Sequence, residues 1–173
     1  MPLINHSIKN ILASAIDELI IVLGHEKEIL EEFIGISKKV KLVFNENYAS
    51  GIASSIKIGL ENLSKKNEAF FIALADMPMI NQNIYNKLIK SKYNYNKKKK
   101  PSHKKEIIIP TYEGRSGNPI LFSKFIKNKI MNIEGDFGAK KIIALFPDKI
   151  LYVPFKNNNV ILDFDNQENF GNL

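Results

Sequence analysis

Three aspartates stand where expected strands run out. Residues 70–75 read Phe-Phe-Ile-Ala-Leu-Ala and are followed at once by Asp76, Met77 and Pro78. Asp163 and Asp165 follow a shorter expected strand, residues 159–162. An apolar run of this length is too short for a membrane span and, closed by proline, suits a buried strand of a parallel sheet. In open α/β sheets ligands settle just beyond the carboxyl ends of the strands, so acidic side chains there face a cleft. Carboxylates so placed suit Mg²⁺, which takes oxygen ligands and is commonly held by one or two carboxylates plus substrate phosphates. Asp76 equally suits the cap of a following helix, and the segment alone leaves both roles open.

Two further stretches have the make-up of loops that a ligand could approach closely. Residues 45–60 begin as a polar loop with Gly51 and pass through Ser54 and Ser55 into a helical pattern. Either serine serves as an N-cap, and free backbone N–H groups at a helix start also hold phosphate. Residues 111–122 contain Gly114-Arg115-Ser116-Gly117-Asn118-Pro119. Glycine and Asn-Pro mark a turn between strands, while an arginine between glycines has backbone free to approach a ligand. Asp136 is either the N-cap of the helix after it or a polar group of the cleft. His6 and His25 are isolated and read as loop or capping residues rather than metal ligands.

The elements that must position these residues alternate along the chain. Ile4, Ile8, Ile11, Leu12 and Ala15 recur at helical spacing, which predicts a helix over residues 3–15 with Pro2 at its first turn. A strand over residues 19–23, a helix over 26–36 and a strand over 41–44 follow. After the central run come a helix over 81–89, a strand over 106–110, helices near 123–131 and through Phe146, and strands over 149–154 and 159–162. This alternation predicts an α/β fold with parallel pairing. Residues 93–105 are of low complexity and are expected to form a mobile, lysine-rich insertion loop.

The 173 residues suit a single domain with a real core, and 45% apolar with 25% charged residues is ordinary globular composition. Without cysteine there is neither a disulfide framework nor thiolate chemistry. No apolar run approaches the roughly 20 residues of a membrane helix, and no charged-then-apolar signal pattern opens the chain, so a cytoplasmic protein with no membrane partner is expected. The net charge of +7 invites a nucleic-acid reading, but the six lysines of residues 97–105 supply all but one of those charges. Such a basic loop, without aromatic interleaving or a reading helix, argues against a nucleic-acid partner.

Taken in order, Gly51…Ser54-Ser55, Ala75-Asp76-Met77-Pro78, Gly114-Arg115-Ser116-Gly117-Asn118-Pro119, Gly135-Asp136-Phe137-Gly138-Ala139 and Asp163-Phe164-Asp165 resemble the MobA-like nucleotidyltransferases. Within that group the likeness is greatest to the molybdenum cofactor cytidylyltransferases. The resemblance implies a Rossmann-like, mostly parallel sheet with helices on both faces. It implies transfer of CMP from CTP to the phosphate of a molybdopterin-type acceptor, with release of pyrophosphate. Asp76 would ligate Mg²⁺ with Asp165, or its neighbour Asp163, as second carboxylate. Gly51, Ser54 and Ser55 would lie along the nucleotide. Arg115, Gly117 and Asn118 would line the acceptor side, with Asp136 near it.

The sequence also departs from that pattern. The family opens with a strand, a Gly-rich turn and a basic pair, whereas here no glycine occurs before Gly24. The expectation is an N-terminally truncated sequence, the real protein starting earlier, with a degenerate relative without catalysis as the alternative. The residues as given would leave two apolar strand edges open between residues 19–23 and 70–75 and show weak or absent activity. Asn118 replaces the family's histidine and Lys140 its arginine, and the Thr-Pro-Glu-Asp ending is missing after Asp165. These differences leave open a guanylyl or sugar-phosphate transferase of the same fold, with GTP in place of CTP. They also leave open a noncatalytic protein that delivers cofactor to a molybdoenzyme partner.

Overall fold

A computed structural model describes residues 2–35, 37–132 and 139–163. Asp136 and Asp165 lie outside them. The chain runs α1 (Leu3–Leu12), β1 (Leu19–Leu23), α2 (Lys27–Phe33), β2 (Val40–Phe44), α3 (Ile52–Asn62), β3 (Ala69–Ile72) and α4 (Gln82–Asn96). It continues through β4 (Ile107–Tyr112), β5 (Arg115–Ser116), β6 (Ile120–Ser123), α5 (Lys124–Met131), α6 (Ala139–Ala144) and β7 (Ile150–Pro154).

The sheet is not mostly parallel. β1 and β2 form a parallel pair, Leu19 opposite Val40 through Leu23 opposite Phe44. The remaining strands form a second sheet in the order β3-β6-β4-β5, with β7 on β4. There β4 and β7 run parallel, but β3–β6, β4–β6 and β4–β5 are antiparallel. Parallel neighbours need a long crossover, and the chain between β4 and β6 is only a short turn with two-residue β5 inside it, so β6 must come back against β4.

Helices nevertheless cover both faces, as side-chain alternation along the central strands requires. Ile107, Ile109, Ile120 and Phe122 pack with Ala53 and Leu60 of α3, Ile126 and Ile130 of α5 and Ile142 of α6. Ile108 and Leu121, one residue out of phase, pack with Ile11 of α1 and Ile84, Tyr85 and Leu88 of α4. The cross-strand pair Phe70 and Phe122 stacks at 5.5 Å between ring centres.

Several boundaries differ from the sequence reading. α4 runs to Asn96, four residues into the expected lysine-rich loop, and residues 101–103 form a 3₁₀ turn. The Asn96 side chain then clasps Lys105, donating to its carbonyl at 2.8 Å and accepting from its N–H at 2.9 Å. The strand expected over 159–162 is not formed; residues 158–160 make a 3₁₀ turn, with Ile161 N–H bonded back to the Asn158 carbonyl at 2.8 Å.

Candidate active site

The segment after β3 is placed by neighbours on two sides. From α1, Ser7 Oγ donates to the Ala75 carbonyl and Asn10 Nδ2 to the Pro78 carbonyl, each at 2.9 Å. From the other side Asn159 Nδ2 donates to the Met79 carbonyl at 3.3 Å. Met77 and Ile80 are buried, and Asp76 between these anchors is half-buried. The helical cap belongs instead to Asn81, whose side chain accepts from Asn83 N–H at 3.0 Å. Asp76 therefore does not cap α4, and the bland alternative for it falls away. Ser7 and Asn10 were missed in the sequence; polar residues three apart beside an isoleucine stripe were the signal.

The same patch takes in the second glycine loop. Val160, one residue beyond Asn159, accepts from Asn118 N–H at 2.7 Å, and Gly117 N–H donates to the Pro110 carbonyl at 2.9 Å. A Cβ added to Gly117 would stand 2.1 Å from the Val160 carbonyl oxygen, so the site needs glycine for close backbone approach. Gly117, Asn118 and the Asp76–Met79 segment are thus linked through Asn159 and Val160. Asp163 follows three residues later and is exposed. Arg115 lies farther out, exposed and opposite Tyr112 at the end of the β4–β5 hairpin. Glu113 and Gly114 form its two-residue turn with φ of 47° and 76°, the positive angles such hairpins favour. The neighbouring Tyr112 phenol is held above its ordinary pKa by a hydrogen bond to Glu113 and by that residue's negative charge.

The turn from β2 into α3 is organised by Asn45, fully buried at the end of its strand. Its amide donates to Ser54 Oγ at 2.8 Å and Ser55 Oγ at 2.9 Å, and its carbonyl oxygen accepts from Asn47 N–H at 2.9 Å. Ser54 Oγ donates to the Gly51 carbonyl at 2.8 Å. Neither serine is the N-cap; Gly51 holds that position with φ 112°, a left-handed angle favouring glycine. Asn45 also escaped sequence reading, though a polar residue directly after an apolar strand was a usable signal.

Asp76 and Asp163 are the described members of the expected metal set. Among the described residues no three His, Cys, Asp or Glu side chains gather as a metal cluster. Up to two carboxylates is nonetheless what a Mg²⁺-class site needs when phosphates complete the shell, and hard oxygen donors fit that class.

An α/β sheet with a carboxylate on the loop at a strand end is a framework in which ligands settle beyond the strand ends. The chain belongs to the MobA-like NTP transferase domain family, whose model matches residues 1–150, and is therefore of the nucleotidyltransferase class. It is similar to the molybdenum cofactor cytidylyltransferase of Escherichia coli (strain K12), 24% identical over 168 residues, which are 97% of this chain and 79% of that relative. Among solved structures it resembles Rv0371c from Mycobacterium tuberculosis H37Rv with a TM-score of 0.81 and 17% identity, covering 99% of this chain and 82% of that one. A manganese complex of Rv0371C gives 0.77 and 17%, over 99% and 86%. CMP:2-keto-3-deoxy-manno-octonic acid synthetase complexed with CTP gives 0.73 and 8%, over 99% and 85%. At these identities the structural likeness is one of fold.

Proposed function

We propose that this chain transfers CMP from CTP to the phosphate of a molybdopterin-type acceptor. An acceptor phosphate oxygen attacks the α-phosphorus, a new P–O bond forms, and the bond to the β-phosphate oxygen breaks. Pyrophosphate leaves with that electron pair. The nucleophile is already anionic, so no side chain needs activation and catalysis rests on alignment and charge stabilisation.

In this reading Gly51, Ser54 and Ser55 lie along the nucleotide, and Arg115, Gly117 and Asn118 face the acceptor with Asp136 nearby. Asp76, with Asp163 or Asp165, holds Mg²⁺. When bound, that ion supplies electrostatic stabilisation and a template for the phosphates. The observation that carries the reading is the family match together with Asp76 on a loop fixed from α1 and from Asn159. The relatives named for cytidylyl transfer and for a CTP complex favour cytidine as the base.

The decisive experiment is Asp76→Asn in a pyrophosphate-release assay with CTP, Mg²⁺ and the acceptor. The expected loss in kcat is on the order of 10²–10³, by analogy with removing one preorganised electrostatic contact, with thermal stability unchanged. A variant as active as the parent would sink the proposal. So would equal turnover by parent and variant of GTP in preference to CTP.

A further inference from the structure

A cavity of about 260 Å³ opens where the turn of residues 63–67 leads into β3 beside α5. Leu63, Ala69 and Phe70 line it together with Lys65, Lys124 and Lys127. Phe70 is buried and Leu63 and Ala69 are half-buried, whereas Lys65 and Lys124 are exposed. The apolar groups therefore make the floor and the lysines the rim. The cavity meets β3 at its first two residues, while Asp76 follows the last, so it lies apart from the candidate active site.

Local structure holds the lysines in place. Lys124 opens α5 with its backbone N–H bonded to the Glu68 carbonyl at 2.9 Å, and its Nζ donates to the Lys65 carbonyl at 2.8 Å. Lys127 and Asn128 follow at spacings of three and four residues, on the same helix face as Lys124. Lys65 sits in a turn closed by Asn67 N–H on the Ser64 carbonyl at 3.2 Å.

The charge around the cavity is of one sign. No carboxylate lines it. Among the described residues none of the three lysines makes an ion pair. Glu18 is engaged elsewhere, accepting from Ser64 N–H and the Asn67 side-chain amide, and it does not line the cavity. Glu68 enters the arrangement through its backbone carbonyl alone.

We propose that this cavity binds a small phosphate monoester carrying an apolar group. A concave surface with charges of one sign and apolar walls focuses the field and concentrates counter-ions, which separates it from lysines spread over a convex face. Three ammonium groups without an acid match a phosphate, with its charge of about −1.5 to −2, better than the single charge of a carboxylate. The floor of Leu63, Ala69 and Phe70 offers nothing to an inorganic ion and gains by covering an apolar body. The volume is just below the roughly 300–1,000 Å³ of common small-molecule sites, so the occupant is of the size of one ring and one phosphate. Binding here does not depend on the nucleotidyl transfer proposed above.

The test is a heteronuclear NMR titration of the chain with phenyl phosphate, inorganic phosphate and benzoate, repeated in the presence of CTP and Mg²⁺. Phenyl phosphate is expected to move the amide signals of residues 63–70 and 124–128 saturably, and to bind about tenfold more tightly than inorganic phosphate. Lys127→Gln should weaken it about fivefold and Lys127→Arg should restore it, with the other amide signals of both variants unchanged. Absence of saturable shifts at those residues overturns the proposal. So does inorganic phosphate or benzoate binding there as tightly as phenyl phosphate, since the floor or the phosphate charge would then play no part. Loss of the shifts once CTP and Mg²⁺ are added also overturns it, because the two sites would not be separate. A failure of CTP to bind would count against the transferase reading and leave the phenyl phosphate result standing.

Discussion

Two turns of the molecule are built on different principles. At the β2–α3 turn one buried side chain, Asn45, gathers Ser54, Ser55 and the Asn47 backbone. At the other turn, Gly117 and Asn118 meet Pro110 and Val160 through backbone atoms, with glycine chosen because nothing larger fits. One side is a side-chain network that tolerates partial loss. The other is a backbone contact in which added volume has nowhere to go.

The largest effect should come from the backbone side. Gly117→Ala drives a Cβ into the Val160 carbonyl, and a loss of about 2–4 kcal/mol is expected in denaturant unfolding. A loss below that of Asn45→Ala would invert the contrast. Asn45→Ala removes the donor to both serines and the acceptor for Asn47 N–H; about 1–3 kcal/mol is expected. In the proposed function it should also raise KM for CTP more than it lowers kcat, because it loosens the nucleotide turn and leaves the Asp76 loop alone. Ser55→Ala deletes one acceptor of that network and should cost about 0.5–1.5 kcal/mol.

A pH experiment separates the sides further. Tyr85 packs with Met77, Ile80 and Val160, under the backbone side, and burial raises its phenol pKa well above 10.0. Above pH 10 the unfolded chain loses that proton while the folded chain keeps it. The folded state then binds more protons, and stability falls as pH rises. Thermal unfolding from pH 9 to 11 should show this decline, and Tyr85→Phe should flatten it.

Much of the fold was legible because apolar spacing reports burial directly. The Ile107–Ile109 run was visible as a strand, and its one-residue offset, together with that of residues 120–122, became the two cores. Strand direction was not legible: a parallel and an antiparallel β6 bury the same Leu121 and Phe122, and only the short connection from β4 decides. The end of α4 at Asn96 was hidden because lysines and asparagines carry no periodicity, while the clasp on Lys105 is a tertiary contact. For the candidate site, Asp76 was singled out from its place after an apolar run. Its supports were not, since Ser7, Asn10 and Asn159 reach it from positions about seventy to eighty residues distant in sequence.

The Glu18 carboxylate gives the molecule a pivot. Accepting from Ser64 N–H at 2.7 Å and from the Asn67 side-chain amide, it pins the start of the small sheet to the turn ahead of the large one, while no comparable bond among the described residues joins Gly24 to Ala75 at the far end. A rotation of a few degrees about such a pin moves the near end little and the far end most. The end beside Gly24 and Ala75 is therefore where any such rotation would change the spacing most.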